Sequence, residues 1–332
     1  MSVIRRRFGV VAILGSAAAL ALASVGGGAA NAKSSSAHAS VSGKKVTFII
    51  YSTPSTAFFL PVVNGANAAA KLFGLKLNVE YSNSDVPTEN NQIESAVASG
   101  TNGIAVSVPD NNAYTKAICA AHSDHIPIVT FNVTATAGKV LDCTMSFVGQ
   151  DFVSAGYQIA EKLITAGKLK HGAQVFCPVE QETAVYAVQR AQGANEALKT
   201  IGSKCNVVST GFDLGQAQTE MQQYLIGHSK TAAILGLGQV PLQVGPAAAK
   251  AAGLKNLPIA GFDMSSQIAT NIKRGKTIAT IEQQPYEQGF YSVEQLALYL
   301  EYGLQPSNVN TGDAIVDKSN ISQVAALTGK VY

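Results

Sequence analysis

The residues of this chain with chemistry to offer sit at the ends of apolar runs. Val46–Phe59 (VTFIIYSTPSTAFF) is a β-rich run that breaks at a Ser/Thr/Pro loop and closes on two adjacent phenylalanines, Phe58 and Phe59. Ile259–Asp263 (IAGFD) has the pattern of a buried strand that delivers one carboxylate at its end. In open α/β sheets ligands bind beyond the carboxyl ends of the strands, so both segments mark positions of expected contact.

Sequences that would carry turnover are missing. Gly236-Leu237-Gly238 follows a strand-like run, but a dinucleotide fingerprint needs a third glycine at position 241, where Pro241 stands. Neither a GxxxxGK[ST] phosphate loop nor a G-x-S-x-G elbow occurs. His122 and His125 lie beside a helix end without an obvious third ligand and read as a solvated pair. The chain is therefore read as a binding protein, not an enzyme, with no cofactor and no metal.

The N-terminus carries an address. Arg5, Arg6 and Arg7 form a positive segment, Val10–Ala23 is apolar, and Ala30-Asn31-Ala32 reads as a small-x-small cleavage site. Residues 1–32 are thus expected to be a cleavable signal peptide, with the mature chain starting near Lys33. The apolar run falls short of the roughly 20 residues a membrane span needs. The segment holds no cysteine, so a lipoprotein is not expected. Arg5-Arg6-x-Phe8 leaves Sec and twin-arginine export both open. Residues 33–43 (KSSSAHASVSG) are Ser/Ala-rich and read as a flexible leader.

Of the 24 basic residues, three leave with the signal peptide and no acid does, leaving 21 against 21. The mature chain is formally neutral, which removes the electrostatic basis for binding nucleic acid. Its roughly 300 residues suffice for two ordinary domains.

Strand-like and helical runs alternate along the mature chain. Strands are expected at Val46–Tyr51, Leu77–Tyr81, Gly103–Val108 and Ile126–Phe131. Helices are expected at Leu60–Phe73, closed by Gly74, and at Thr88–Ala98 and Ala113–His122. The second half repeats the rhythm, with strands at Ala173–Cys177, Val207–Thr210, Ala232–Leu237, Ile259–Phe262 and Thr277–Ile281. Its helices are expected at Ala155–Ala166, Ala184–Thr200, Gln216–Ile226, Val244–Ala252 and Tyr286–Tyr302. Such alternation specifies βαβ units, parallel sheets and two similar α/β lobes.

Several ordered motifs resemble the type I periplasmic binding proteins, in particular their ribose-binding-like sugar group. They are Phe58-Phe59, Ile126-Pro127-Ile128-Val129, Val148-Gly149-Gln150-Asp151, Arg190-x-x-Gly193, Gly261-Phe262-Asp263 and Ala279-Thr280-Ile281-x-Gln283. The resemblance covers roughly Lys45–Lys318. It implies two Rossmann-like lobes joined by a three-segment hinge near Gly149–Asp151, Gln284-Pro285 and Gly312-Asp313. The first lobe would be 44–149 plus 285–312, the second 150–284 plus 313–332.

By the same resemblance, Phe58, Phe59 and Phe212 are the aromatic walls against the C–H faces of a ring. Asp263 and Gln283 are its polar contacts, with Asn132 and Gln239 at neighbouring site positions. Five of them have a structural alternative: core packing for Phe58 and Phe59, a helix N-cap for Asp263, a hinge role for Gln283, a turn for Asn132. Arg190 and Asp151 read as structural or hinge groups. The group's usual Asp-Arg pair is here Asn132-Val133, a second-lobe arginine is replaced by Val188, and an asparagine by Gly238. Asp263 is then the one charge expected in the cleft, and the ligand should be neutral or cationic.

The resemblance implies capture of a small neutral sugar or polyol by hinge closure and its delivery, by a monomer, to an ABC transporter permease. A nucleoside, an aromatic or less hydroxylated metabolite, and a sensory role are the alternatives. Four cysteines allow three pairings, and buried free thiols are a further reading. Pairing within lobes, 119–143 and 177–205, avoids locking the hinge. It places Cys119 on a helix, Cys143 on a strand-forming segment, and Cys177 and Cys205 towards opposite ends of adjacent strands.

Overall fold

The computed structural model describes residues 40–332; the expected signal peptide lies outside them, as does the leader up to residue 39. The first part of the chain forms β1 (Lys45–Ile50), α1 (Phe59–Phe73), β2 (Lys76–Tyr81), α2 (Val86–Ala98) and β3 (Gly103–Val106). It continues with α3 (Thr115–Ser123), β4 (Ile128–Phe131) and β5 (Ser146–Gly149). Next come α4 (Phe152–Gly167), β6 (Gln174–Val179), α5 (Val185–Leu198), β7 (Cys205–Ser209) and α6 (Leu214–Gly227). After these follow β8 (Thr231–Gly236), α7 (Gln239–Ala251), β9 (Ile259–Phe262), α8 (Ser266–Lys273) and β10 (Ala279–Glu282). The chain closes with α9 (Pro285–Tyr302), β11 (Val309–Asn310), β12 (Ala314–Asp317) and α10 (Ile321–Val324).

The strands make two six-stranded sheets, β2-β1-β3-β4-β5-β11 and β7-β6-β8-β9-β10-β12. All pairings are parallel except β10 with β12. The fold is α/β, two parallel-dominated sheets with interleaved helices. The near-continuous apolar runs follow from this, since such a sheet is covered on both faces. In β1, Val46, Phe48 and Ile50 face one core cluster and Ile49 faces the other. In β6, Val175, Cys177 and Val179 face one cluster and Phe176 the other.

The chain crosses between the sheets three times, after β5, after β10 and after β11. Each half also contains one close helix pair built on facing glycines. A Cβ on Gly289 of α9 would lie 1.8 Å from the Val62 carbonyl oxygen, and one on Gly65 of α1 would lie 2.0 Å from that of Tyr286. In the second half, a Cβ on Gly193 of α5 would come within 1.8 Å of the Val153 oxygen, and one on Gly156 of α4 within 2.2 Å of the Arg190 oxygen. Only glycine permits backbones this close. Gly193 therefore fixes how deep α5 sits, and with it the height of Arg190 one turn earlier.

Disulfides join Cys119 to Cys143 and Cys177 to Cys205, each within the territory of one sheet. Two details differ from expectation. Cys143 belongs to a 3-10 turn, Lys139–Cys143, not a strand. Three residues per turn bring Val140 and Cys143 to the same side, both buried beneath α3. In the second pair, β7 starts two residues earlier than expected, at Cys205. Cys205 pairs with Val175 and Cys177 with Val207, so the cysteines are diagonal neighbours 5.5 Å apart at Cα. The flexible leader also ends sooner than residue 43: Val41 is buried in the first core and the Gly43 N–H donates to the Gly74 oxygen.

Candidate functional site

The polar residues of interest stand one step beyond the last residue of a parallel strand. Asn132 follows β4, Glu180 follows β6, Asp263 follows β9 and Gln283 follows β10. Asn132 and Asp263 take left-handed backbone angles, φ 61° and 69°, and so does Gln284, φ 52°. A single left-handed residue ends the strand's alternation and turns the chain at the sheet edge. Non-glycine residues tolerate this where the surroundings hold them. The Asp263 N–H donates to the Ile281 oxygen and the Asn132 N–H to the Val148 oxygen.

Phe58, Phe59, Asn132, Phe212, Gln239, Asp263 and Gln283 all line one cavity of about 350 Å³ between the strand tips of the two sheets. Phe58 and Phe59 meet edge to face, centroids 5.1 Å apart. Phe59 is 8% exposed and belongs to the first core as well as to the cavity wall. Phe212 follows the positive-φ Gly211 and stands on the rim, 64% exposed. A larger cavity, about 460 Å³, lies among α8, Glu282 and the C-terminal Gly329 and Tyr332; of those seven residues it takes in Phe58 alone.

A polar chain runs along the cavity floor. Asn132 Nδ2 donates to Gln288 Oε1 at 3.1 Å and to Gln283 Oε1 at 3.4 Å. Gln283 Nε2 donates to Asp263 Oδ1 at 2.6 Å, and Arg190 Nη2 lies 3.7 Å from the same oxygen. Arg190 Nη1 donates to the Leu237 oxygen at 2.8 Å and Nη2 to Gln150 Oε1 at 3.5 Å. Gln150 Nε2 donates in turn to the Gly312 oxygen, so residues of all three crossovers share the network. Gln239 ties its amide to the Met264 oxygen at 2.7 Å.

The structural alternatives divide. Ser265, not Asp263, caps α8, its hydroxyl accepting from the Ile268 N–H. Asp151 caps α4, accepting from the Val153 and Ser154 N–H groups, and so is structural. Gln283 both lines the cavity and joins the hinge network.

The expectation that Asp263 is the lone charge does not hold. Arg190 and Glu180 line the same cavity. Val188, the residue expected in the arginine's place, is 54% exposed and lies elsewhere. At 100° per residue, positions 188 and 190 of α5 point to opposite faces, so Arg190, read from the sequence as a structural or hinge group, is the one that faces the cavity. Arg190 is 2% exposed and lies over the rings of Phe262, Phe152 and Tyr186, at 4.0, 5.0 and 5.3 Å from their centroids. A buried guanidinium is tolerable here because rings, a carbonyl and a carboxylate surround it.

Glu180 escaped the sequence reading, although the signal that identified Asp263, an acid directly after an apolar strand, is present in QVFCPVE. Burial pushes its carboxyl above the ordinary range, and the Asp263 charge adds to this while the Val240 N–H and Arg190 oppose it. Burial and the Glu180 charge likewise raise the Tyr186 phenol. Among the described residues no cluster of three or more His, Cys, Asp or Glu could hold a metal ion. The arrangement can bind a small molecule between apolar rings and fixed acceptors.

Known proteins fit this description. The xylose/arabinose-binding protein of Sulfolobus acidocaldarius is 26% identical over 299 residues, covering 83% of this chain and 72% of its own. The ribose import binding protein of Bacillus subtilis is 27% identical over 251 residues, with 74% and 79% covered. A carbohydrate transporter from Acidothermus cellulolyticus, solved in complex with myo-inositol, is 29% identical with a TM-score of 0.77, covering 87% of this chain and 99% of its own. The periplasmic binding protein domain matches residues 46–304, and the chain belongs to that family of solute-binding proteins.

Proposed function

We propose that this protein is the extracytoplasmic substrate-binding component of an ABC importer and that it captures a small neutral sugar or cyclic polyol. The observation that carries the reading is the meeting of aromatic rings from both sheets' tips, Phe58 and Phe59 from one and Phe212 from the other, around a cavity floored by Asn132, Gln283 and Asp263. Rings cover the C–H faces of a sugar while side-chain amides and a carboxylate take its hydroxyls. The volume of about 350 Å³ suits a single ring. The identity to the myo-inositol complex and to pentose-binding proteins supports the same class.

The lobes are 44–149 plus 285–312 and 150–284 plus 313–332, and ligand contacts from both stabilise the closed arrangement over the open one. The mature protein is a monomer, released by cleavage after Ala32 and not lipid-anchored. Thermal shift against pentoses, hexoses, myo-inositol, nucleosides, uronic acids and sugar phosphates tests the ligand class, since a tight ligand raises Tm by mass action. Stabilisation by neutral sugars or cyclitols is the expected result. Stabilisation by nucleosides alone, or by anions alone, refutes it.

A further inference from the structure

Glu180 is built into the cavity wall with unusual care. The Val240 N–H donates to its Oε1 at 2.9 Å and the Tyr186 hydroxyl to its Oε2 at 3.1 Å. The space it fills exists because residue 238 has no side chain: a Cβ there would lie 1.9 Å from Oε2 and 2.5 Å from Oε1. An ionised carboxylate offers about four lone-pair sites, and two are used by these donors. Glu180 lines the cavity on the same side as Asp263. The one cation there, Arg190, pairs with Asp263 and the Leu237 oxygen.

We infer that Glu180 is a second ligand-gripping carboxylate, admitted by Gly238, and that with Asp263 it selects ring polyols presenting hydroxyl donors to the second sheet's strand tips. This rests on the polyol reading of the cleft. Two acids against one engaged guanidinium disfavour ligands that carry a carboxylate or phosphate. The fixed donors on Glu180 hold its carboxylate in place before the ligand arrives, so little side-chain freedom is lost on binding.

A competing role is visible. Val240 is the second residue of α7, whose N-cap, Gly238, has no side chain to accept from it, so Glu180 also serves as a cap from a neighbouring strand. Glu180→Gln separates the two roles, because an amide oxygen can still accept from the Val240 N–H but carries no charge for the ligand. Gly238→Ala approaches from the other side by displacing the carboxylate.

The experiment is isothermal titration of wild type, Glu180→Gln and Gly238→Ala with myo-inositol, D-ribose and D-glucuronate, with circular dichroism to monitor the fold. Glu180→Gln is expected to keep the wild-type fold and to weaken the best neutral ligand about ten- to 100-fold, the loss of a hydrogen bond to a charged group. Gly238→Ala should weaken it comparably, and the double variant by less than the product of the two. If myo-inositol or D-ribose binds the wild type and Glu180→Gln changes its affinity less than tenfold, the assignment fails while the polyol reading stands. Binding of D-glucuronate more tightly than either neutral compound overturns the charge argument and the assignment with it. A wild type that binds none of the three overturns both readings.

Discussion

The three phenylalanines of the cleft share a chemistry but not a structural commitment, so their removal should separate binding from stability. Phe59 is buried in the first core, Phe58 is half-buried at the start of α1, and Phe212 stands on the rim. Each substitution by Ala should weaken ligand binding by about 1–3 kcal/mol, roughly five- to 150-fold. Phe59→Ala should in addition cost about 3–5 kcal/mol of stability, the usual loss for a buried ring. Phe212→Ala should leave stability unchanged. Chemical denaturation beside calorimetric titration measures both. Equal stability losses at 59 and 212 would contradict the burial argument, and unchanged affinity in all three would remove the wall.

At the scale of elements, α4 and α5 are held at a fixed separation by Gly156 and Gly193. Gly193→Ala places a methyl against backbone atoms of α4, the Val153 oxygen and the Tyr157 nitrogen, which cannot rotate away. A destabilisation of about 1–3 kcal/mol is expected, with weaker ligand binding because α5 carries Arg190. Gly227, at the end of α6, provides the control. A Cβ there meets nothing within 4 Å, and Gly227→Ala should be neutral or mildly stabilising. The disulfides act on elements too. Cys119–Cys143 ties α3 to the 3-10 turn and closes a loop with a sequence separation of 24. Replacing both cysteines by serine should cost about 2–4 kcal/mol in urea denaturation. Ligand affinity should survive, since neither cysteine lines the cavity.

At the scale of the whole molecule, the second crossover carries a buried acid. Glu282 ends β10, and its Oε2 accepts from the Gln284 N–H at 2.7 Å. Burial raises its carboxyl from 4.5 to about 8, with Asp263 and Glu287 adding to the rise and the Gln283 and Gln284 N–H groups opposing it. The folded protein therefore holds this proton more tightly than the unfolded chain. The associated stability is fully present below about pH 4.5 and is lost as pH rises through about 8. Glu282→Gln should match wild type at pH 4.5 and exceed it at pH 8, by up to roughly 4 kcal/mol. Burial shifts Glu89 and Glu180 the same way, so part of the slope should persist in the variant. Denaturation curves across that range decide it. Equal stability of the two proteins at pH 8 would mean that Glu282 is solvated.

The order of strands and helices was legible in the sequence because the central parallel strands, buried on both faces, read as short apolar runs, and each covering helix as a longer periodic one. Ile259–Phe262 was placed to the residue, and Asp263 with it. The strand ends of β7 and β10 were less sharp, since polar Asn206 and Glu282 interrupt the pattern that defines them. The resemblance also supplied the seven residues that line the cavity, while the reading of the sequence missed Glu180 and took Arg190 for a structural or hinge group alone. Those two errors have one cause. Whether a side chain enters the cleft depends on the face its helix presents and on the space left by a residue on another strand, and neither is a property of the nearby sequence. The rotation of α5 against α4, fixed by glycines 37 positions apart (156 and 193), put Arg190 inside and Val188 outside. The absence of a side chain at Gly238 made room for an acid 58 positions earlier, at Glu180. The sequence determined which elements form; packing between them decided which charges meet in the cavity.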